Sequence, residues 1–211
     1  MSEQNISEFN ENQAKPPFVY PQTNLYKKIE SDSLSEIESM NLERAVELFK
    51  PNEESLDNPP YITDKTESKA IDRISVFRNS SENFNTLLSQ VENANPDLEP
   101  KDILNTIREN EELRTEIGMI IQDSISKLWT ENKLPERLIL NGEKNPRLKK
   151  ANEVFGLRSQ EYSAQLALSM LDGSFDDDYH GDGPIDVNTS GKVISGQHRA
   201  GALMAIGDWK F

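Results

Sequence analysis

The chain has 211 residues, 35% apolar and 28% charged, with a formal net charge of −14. This fits one domain, or one domain with a tail, and excludes nucleic-acid binding through a general basic surface. Cysteine is absent, which excludes disulfides, thiolate metal sites and cysteine nucleophiles, and two histidines, His180 and His198, are too few for a multi-histidine zinc site. Neither the polar start, Met1 to Asn12, nor any apolar run reads as a signal or a membrane span. The expected location is therefore cytoplasmic, with no membrane partner.

Residues 1–65 are rich in Glu, Asn, Ser and Pro and read as a mostly disordered acidic arm. Within it, Leu34, Ile37, Leu42, Val46 and Phe49 recur at near-helical spacing behind Ser33. They predict a short amphipathic helix near 33–49, N-capped by Ser33. Its simpler reading is a transient helix in the arm, and the alternative is a docking segment for a protein partner. Pro51, Pro59 and Pro60 mark a linker.

Residues 66–133 read as a helical subdomain. Ile71, Ile74, Val76 and Phe77 form one apolar group, and Ser80 or Ser81 then caps a helix carrying Phe84, Leu87, Leu88 and Val91. Asn95-Pro96 breaks that helix, and Pro100 opens the next, with Ile103, Leu104 and Ile107. From Glu111 to Trp129, Leu113, Ile117, Ile120, Ile121, Ile125 and Leu128 make an apolar stripe suited to a core. Trp129 and Trp209 read as core anchors.

Residues 134–211 read as an α/β unit. Its opening is locally basic, through Lys133, Arg137, Lys144, Arg147, Lys149, Lys150 and Arg158, and Leu138-Ile139-Leu140 before Asn141-Gly142 suggests a short strand and turn. The simpler reading of the basic stretch is a solvated face, and the alternative is a wall toward DNA or a polyphosphate. A helix from Ser159 closes at Asp172-Gly173. An acidic loop follows, with Asp176, Asp177, Asp178 and Asp182 near His180. That cluster lacks metal-ligand spacing, so a solvated loop is preferred to a Mg²⁺ site. Pro184 to Val187 and Lys192 to Ile194 read as strands around a turn at Thr189-Ser190-Gly191, and Gln197 to Ile206 as a helix capped by Gly207. Asp208 to Phe211 looks like the start of a further strand. The expected fold class is α+β.

The chemistry concentrates at Ser195-Gly196-Gln197-His198-Arg199. A strand running through a glycine turn into a helix places unpaired amides and a partial positive charge at one point. Gly196 lacks the Cβ that would hold an anion away from the backbone. Arg199 offers a planar fork for phosphate, His198 a hydrogen bond or a mobile proton, and Gln197 both donor and acceptor. His198 is the catalytic candidate, and all five residues are phosphate- or nucleotide-binding candidates. A plain polar strand-to-helix turn would read the same way.

The order of helix, glycine loop, Pro-Ile strand, Val-Ile strand, Gly-Gln-His-Arg and alanine-rich helix resembles the ParB/sulfiredoxin superfamily. The branch with Asp-Gly-Gln-His-Arg, common in phages and mobile elements, is the most similar. The resemblance covers about Ser159 to Phe211 and implies that the turn receives nucleotide phosphates through Gly196, Gln197 and His198, with Arg199 on phosphate. It also implies that Pro184 and Ile185 floor the site. Gln197 stands where sulfiredoxins carry their reactive cysteine, which removes that reductase chemistry. Ser195 stands where Asp is usual, so no carboxylate there can act as base or metal ligand. The family fold continues past the alanine-rich helix, so this unit is expected to be incomplete.

The leading expectation is thus a nucleotide-phosphate or nucleic-acid-phosphate binding protein. It would take a nucleoside triphosphate with Mg²⁺ and is open to nuclease, NTPase or phosphotransfer chemistry. The alternative is a non-enzymatic acidic protein that docks on a partner.

Overall fold

A computed structural model of the chain describes residues 36–51, 62–131, 157–175, 185–187, 189 and 193–209. Helix α1 spans Glu36–Phe49, α2 Asp64–Ser80, α3 Glu82–Ala94, α4 Pro100–Glu109, α5 Glu111–Thr130 and α6 Leu157–Asp172. Strands β1 (Asp186–Val187) and β2 (Val193–Ser195) precede α7 (Gln197–Ala205).

Helix boundaries follow local chemistry. Thr63 and Thr66 form a capping box at the start of α2, each hydroxyl accepting the other residue's backbone N–H. The Ser81 hydroxyl accepts the Phe84 amide and opens α3. Pro100 is the first residue of α4, where a missing N–H costs nothing. Asn110 ends α4, and its side-chain carbonyl accepts the Leu113 amide at 2.8 Å to start α5. The expected Ser33 cap lies outside the described residues.

The expected α+β class is corrected. The described part is 78% helical and points to an all-helical protein. The expected strand–strand unit reduces to antiparallel pairing between a two-residue and a three-residue strand, interrupted by an irregularity in register. Such a pair is too short to form a layer against which helices could pack. The helices bury their apolar stripes against one another instead. Nor does a strand begin at Asp208: its amide donates back to the Leu203 carbonyl at 2.9 Å, Trp209 is not in a strand, and Lys210 and Phe211 lie outside the described residues. The suggested strand at 138–140 and the turn after it also lie outside them.

One core runs from α1 to the end of α7 and includes Phe49, Phe77, Phe84, Leu104, Ile117, Ile121, Leu168 and Ile206. The Phe77 and Phe84 rings stack at 4.4 Å across the α2–α3 corner. Helix α6 is the central element and packs on α7, α5, α2, α4 and α1. Its buried Ala164 and Ala167, with Ala200, Gly201 and Ala202 of α7, suit close approach of the two helices. Helix α1 docks on α5 and α6. Phe49 sits directly over Gly118, and the Gln165 amide donates to the Leu48 carbonyl at 3.0 Å.

Candidate functional site

The candidate residues sit where β2 enters α7. Gly196 is the helix N-cap, at φ 81° and ψ 27°, and its carbonyl accepts the Ala200 amide at 2.9 Å. That left-handed geometry strains any residue with a Cβ. Gln197, His198 and Arg199 form the first turn of α7, the end at which a helix carries partial positive charge.

The space in front of Gly196 is filled, not open. A Cβ there would lie 3.0 Å from Ile185 Cγ1 and 3.1 Å from Arg199 Nη2. The glycine therefore admits Ile185 and the Arg199 guanidinium at close range. Arg199 is 7% exposed, so its charge is held close to the turn. Gln197 and His198 are half-buried. Ser195 ends β2 in register with Asp186, an exposed carboxylate on the neighbouring strand.

A further residue joins this group from α6. The Tyr162 ring meets the His198 imidazole edge to face, with centroids 5.1 Å apart. Tyr162 is 49% exposed and is the exposed large hydrophobic side chain among the described residues. Nothing local marks it, because it belongs to another helix and its place beside His198 is set by α6–α7 packing.

The far end of α7 is tied to α2. Arg73 pairs with Asp208 at 3.2 Å, and the Ser80 hydroxyl reaches the Ile206 carbonyl at 3.4 Å. A second structural cluster fixes the C-terminus of α6. Asp172 accepts from Arg114, and its carbonyl accepts from Arg108 Nε at 2.6 Å. Arg108 and Lys101 both pair with Glu67. The Lys101 hydrogen bond, with that of Arg108, holds the Glu67 carboxyl below its ordinary range against the opposing effect of burial.

Pro184, the acidic loop residues Asp176, Asp177, Asp178 and Asp182, and His180 lie outside the described residues, as do Lys133, Arg137, Lys144, Arg147, Lys149 and Lys150. Among the described residues, no group of three or more His, Asp or Glu side chains could hold a metal ion. Among them, too, no helix is long and apolar enough to cross a membrane. A separate cleft of about 510 Å³ opens at the other end of α7, between Ser80, Asp123, Lys127 and Gly207. Its Asp123 and Lys127 are paired at 2.7 Å. No known protein family, curated protein or solved structure matches the chain.

Proposed function

We propose that the β2–α7 turn binds phosphate groups of a nucleotide or a nucleic acid. The observation that carries this reading is the pairing of a left-handed glycine N-cap with the buried Arg199 guanidinium 3.1 Å from its Cβ position. The helix end offers amides and partial positive charge, and Arg199 adds a full charge in a fork shaped for phosphate. His198, in the same turn, supplies a further hydrogen-bond donor. The similarity of Ser195 to Arg199 to the ParB/sulfiredoxin turn supports the same assignment. Asp186, across from Ser195, is exposed and solvent-screened, so it opposes an anion only weakly. The net charge of −14 requires recognition to be local. Docking of α1 on α5 and α6 already covers Ala45 and Phe49, so a partner-docking role for that helix would require it to leave.

Titration calorimetry of the full chain with ATP, CTP and GTP, with and without Mg²⁺, tests the reading. Binding that weakens about tenfold or more in Arg199→Ala is expected, since hydrogen bonds to charged groups contribute about 1.5–3 kcal/mol each. Circular dichroism verifies that the variant folds. Absence of binding to all three, or unchanged affinity in a folded Arg199→Ala, overturns it.

A further inference from the structure

We infer that the α5–α6 groove that holds α1 also accepts α1 of a second copy, so that two chains associate by exchanging this helix. Helix α1 packs chiefly on α5 and α6, not on α2, the helix that follows it in the chain. Its anchors fall between Arg44 and Phe49. The Arg44 guanidinium grips both oxygens of the Glu161 carboxylate, Nε donating to one at 3.3 Å and Nη2 to the other at 3.2 Å. The Gln165 amide donates to the Leu48 carbonyl at 3.0 Å. That carbonyl belongs to the last turn of α1, where no amide lies ahead of it in the helix. The Phe49 ring is buried over Gly118, and the missing side chain leaves the hole that the ring fills. Charge meets opposite charge, carbonyl meets amide and ring meets hole.

This recognition does not depend on the covalent path. Arg44, Leu48 and Phe49 supply one half of it, and Gly118, Glu161 and Gln165 supply the other. Residues 50–63, which join α1 to α2, contribute none of these contacts. A second copy's α1 offers the groove the same partners in the same geometry, so exchange keeps every one of them. An unfilled groove exposes the apolar hole over Gly118 and takes the arginine from Glu161, so refilling it from either chain is favourable. The two sources compete by mass action. A short tether presents α1 to its own groove at an effective concentration of the order of millimolar. The wild type is accordingly a monomer at micromolar concentration, and exchange sets in as the protein approaches the millimolar range.

Two full-length variants with complementary defects remove the competition within the chain. Phe49→Ala keeps the groove and lacks the ring, whereas Gly118→Leu keeps the ring and fills the hole. At about 1 mM, each alone is expected to sediment as a monomer, and a 1:1 mixture to form a heterodimer. Amide exchange over residues 43–49 of the Gly118→Leu chain should slow about tenfold or more on mixing, because its α1 then docks on the other chain. Adding Arg44→Ala to the Gly118→Leu chain should reverse the association. A mixture of folded variants that stays monomeric overturns the inference, since α1 would then recognise the groove only within its own chain. Equal association of either variant alone overturns it as well, because another surface would be responsible. If Gly118→Leu does not fold, a synthetic peptide of residues 36–51 replaces it: binding to the Phe49→Ala chain supports exchange, and no binding overturns it. A Phe49→Ala chain that does not fold also overturns it, because α1 would then belong to the global folding unit.

Discussion

At Gly196 the backbone lies at φ 81°, and a Cβ would approach Ile185 Cγ1 to 3.0 Å. Both effects act against any substitution. The left-handed conformation costs an L-residue roughly 1–2 kcal/mol, and the crowding adds to it. Gly196→Ala should therefore lower stability by about 2 kcal/mol in urea denaturation, and Gly196→Asn by less, since asparagine visits this region more readily. Both should weaken tripolyphosphate binding, because the Cβ displaces Arg199. A second prediction at this scale concerns Glu67. Its carboxyl is depressed by the Lys101 hydrogen bond and then by Arg108. A group depressed in the folded state stabilises fully above its unfolded value, and that contribution is lost as pH falls through the folded value. The chain should accordingly lose stability on acidification below the ordinary carboxylate range. Glu67→Gln should flatten that acid limb while being less stable than wild type at neutral pH. An acid limb of unchanged slope in Glu67→Gln would show that other carboxylates dominate it.

Helical elements were legible where their signals are local. Leu113, Ile117, Ile121 and Ile125 recur at helical spacing and are all buried on α5. Ser81 and Pro100 act within one turn of themselves, so their roles at the starts of α3 and α4 could be read from short stretches. The contacts between elements were not legible, because they join residues far apart in the chain. Phe49 over Gly118 is the clearest case: a Cβ on Gly118 would collide with the ring. The expected transient amphipathic helix is thus a docked one, held by that socket, by the Gln165–Leu48 hydrogen bond and by the Arg44–Glu161 ion pair at 3.2 Å. The Tyr162–His198 contact is of the same long-range kind, whereas the strand-to-helix turn at Gly196 is legible in its residue order. Gly118→Leu and Phe49→Ala should both release α1. Losing a buried phenylalanine costs about 3–5 kcal/mol where the core cannot yield. Here α1 can undock, so the loss is limited to its docking energy. Hydrogen exchange should show protection lost over residues 43–49 and retained over 117–125. An equal fall in both segments would make α1 part of the global folding unit.

The whole molecule is organised around α6, and this explains why an α+β reading of its C-terminal part failed. The described residues from Leu157 onward hold a helix, a pair of short strands and a helix, but α6 and α7 pack chiefly on other helices. The apolar stripes of α2, α4 and α5 supply much of the buried core, and Val193 of β2 is buried as well. Burial therefore follows the helices, and the strands serve to deliver the chain to Gly196. A central helix of this kind needs its ends fixed, and Asp172 does this at the C-terminus of α6. It is 2% exposed, pairs with Arg114 of α5 and presents its carbonyl to Arg108 of α4. Its other carboxylate oxygen accepts the Ser174 amide at 2.8 Å, which turns the chain after Gly173. Removing this carboxylate leaves the Arg114 charge buried without its ion pair, a situation that costs about 3–5 kcal/mol. Asp172→Ala should thus destabilise the whole chain by that order, whereas Arg78→Ala, which breaks a half-exposed pair with Glu92, should cost about 1 kcal/mol or less. Because α6 touches helices from both sides of the sequence, the loss should appear as one shifted unfolding transition, with far-ultraviolet circular dichroism and tryptophan fluorescence moving together. A transition split in two by Asp172→Ala would show instead that α2 to α5 hold together without α6.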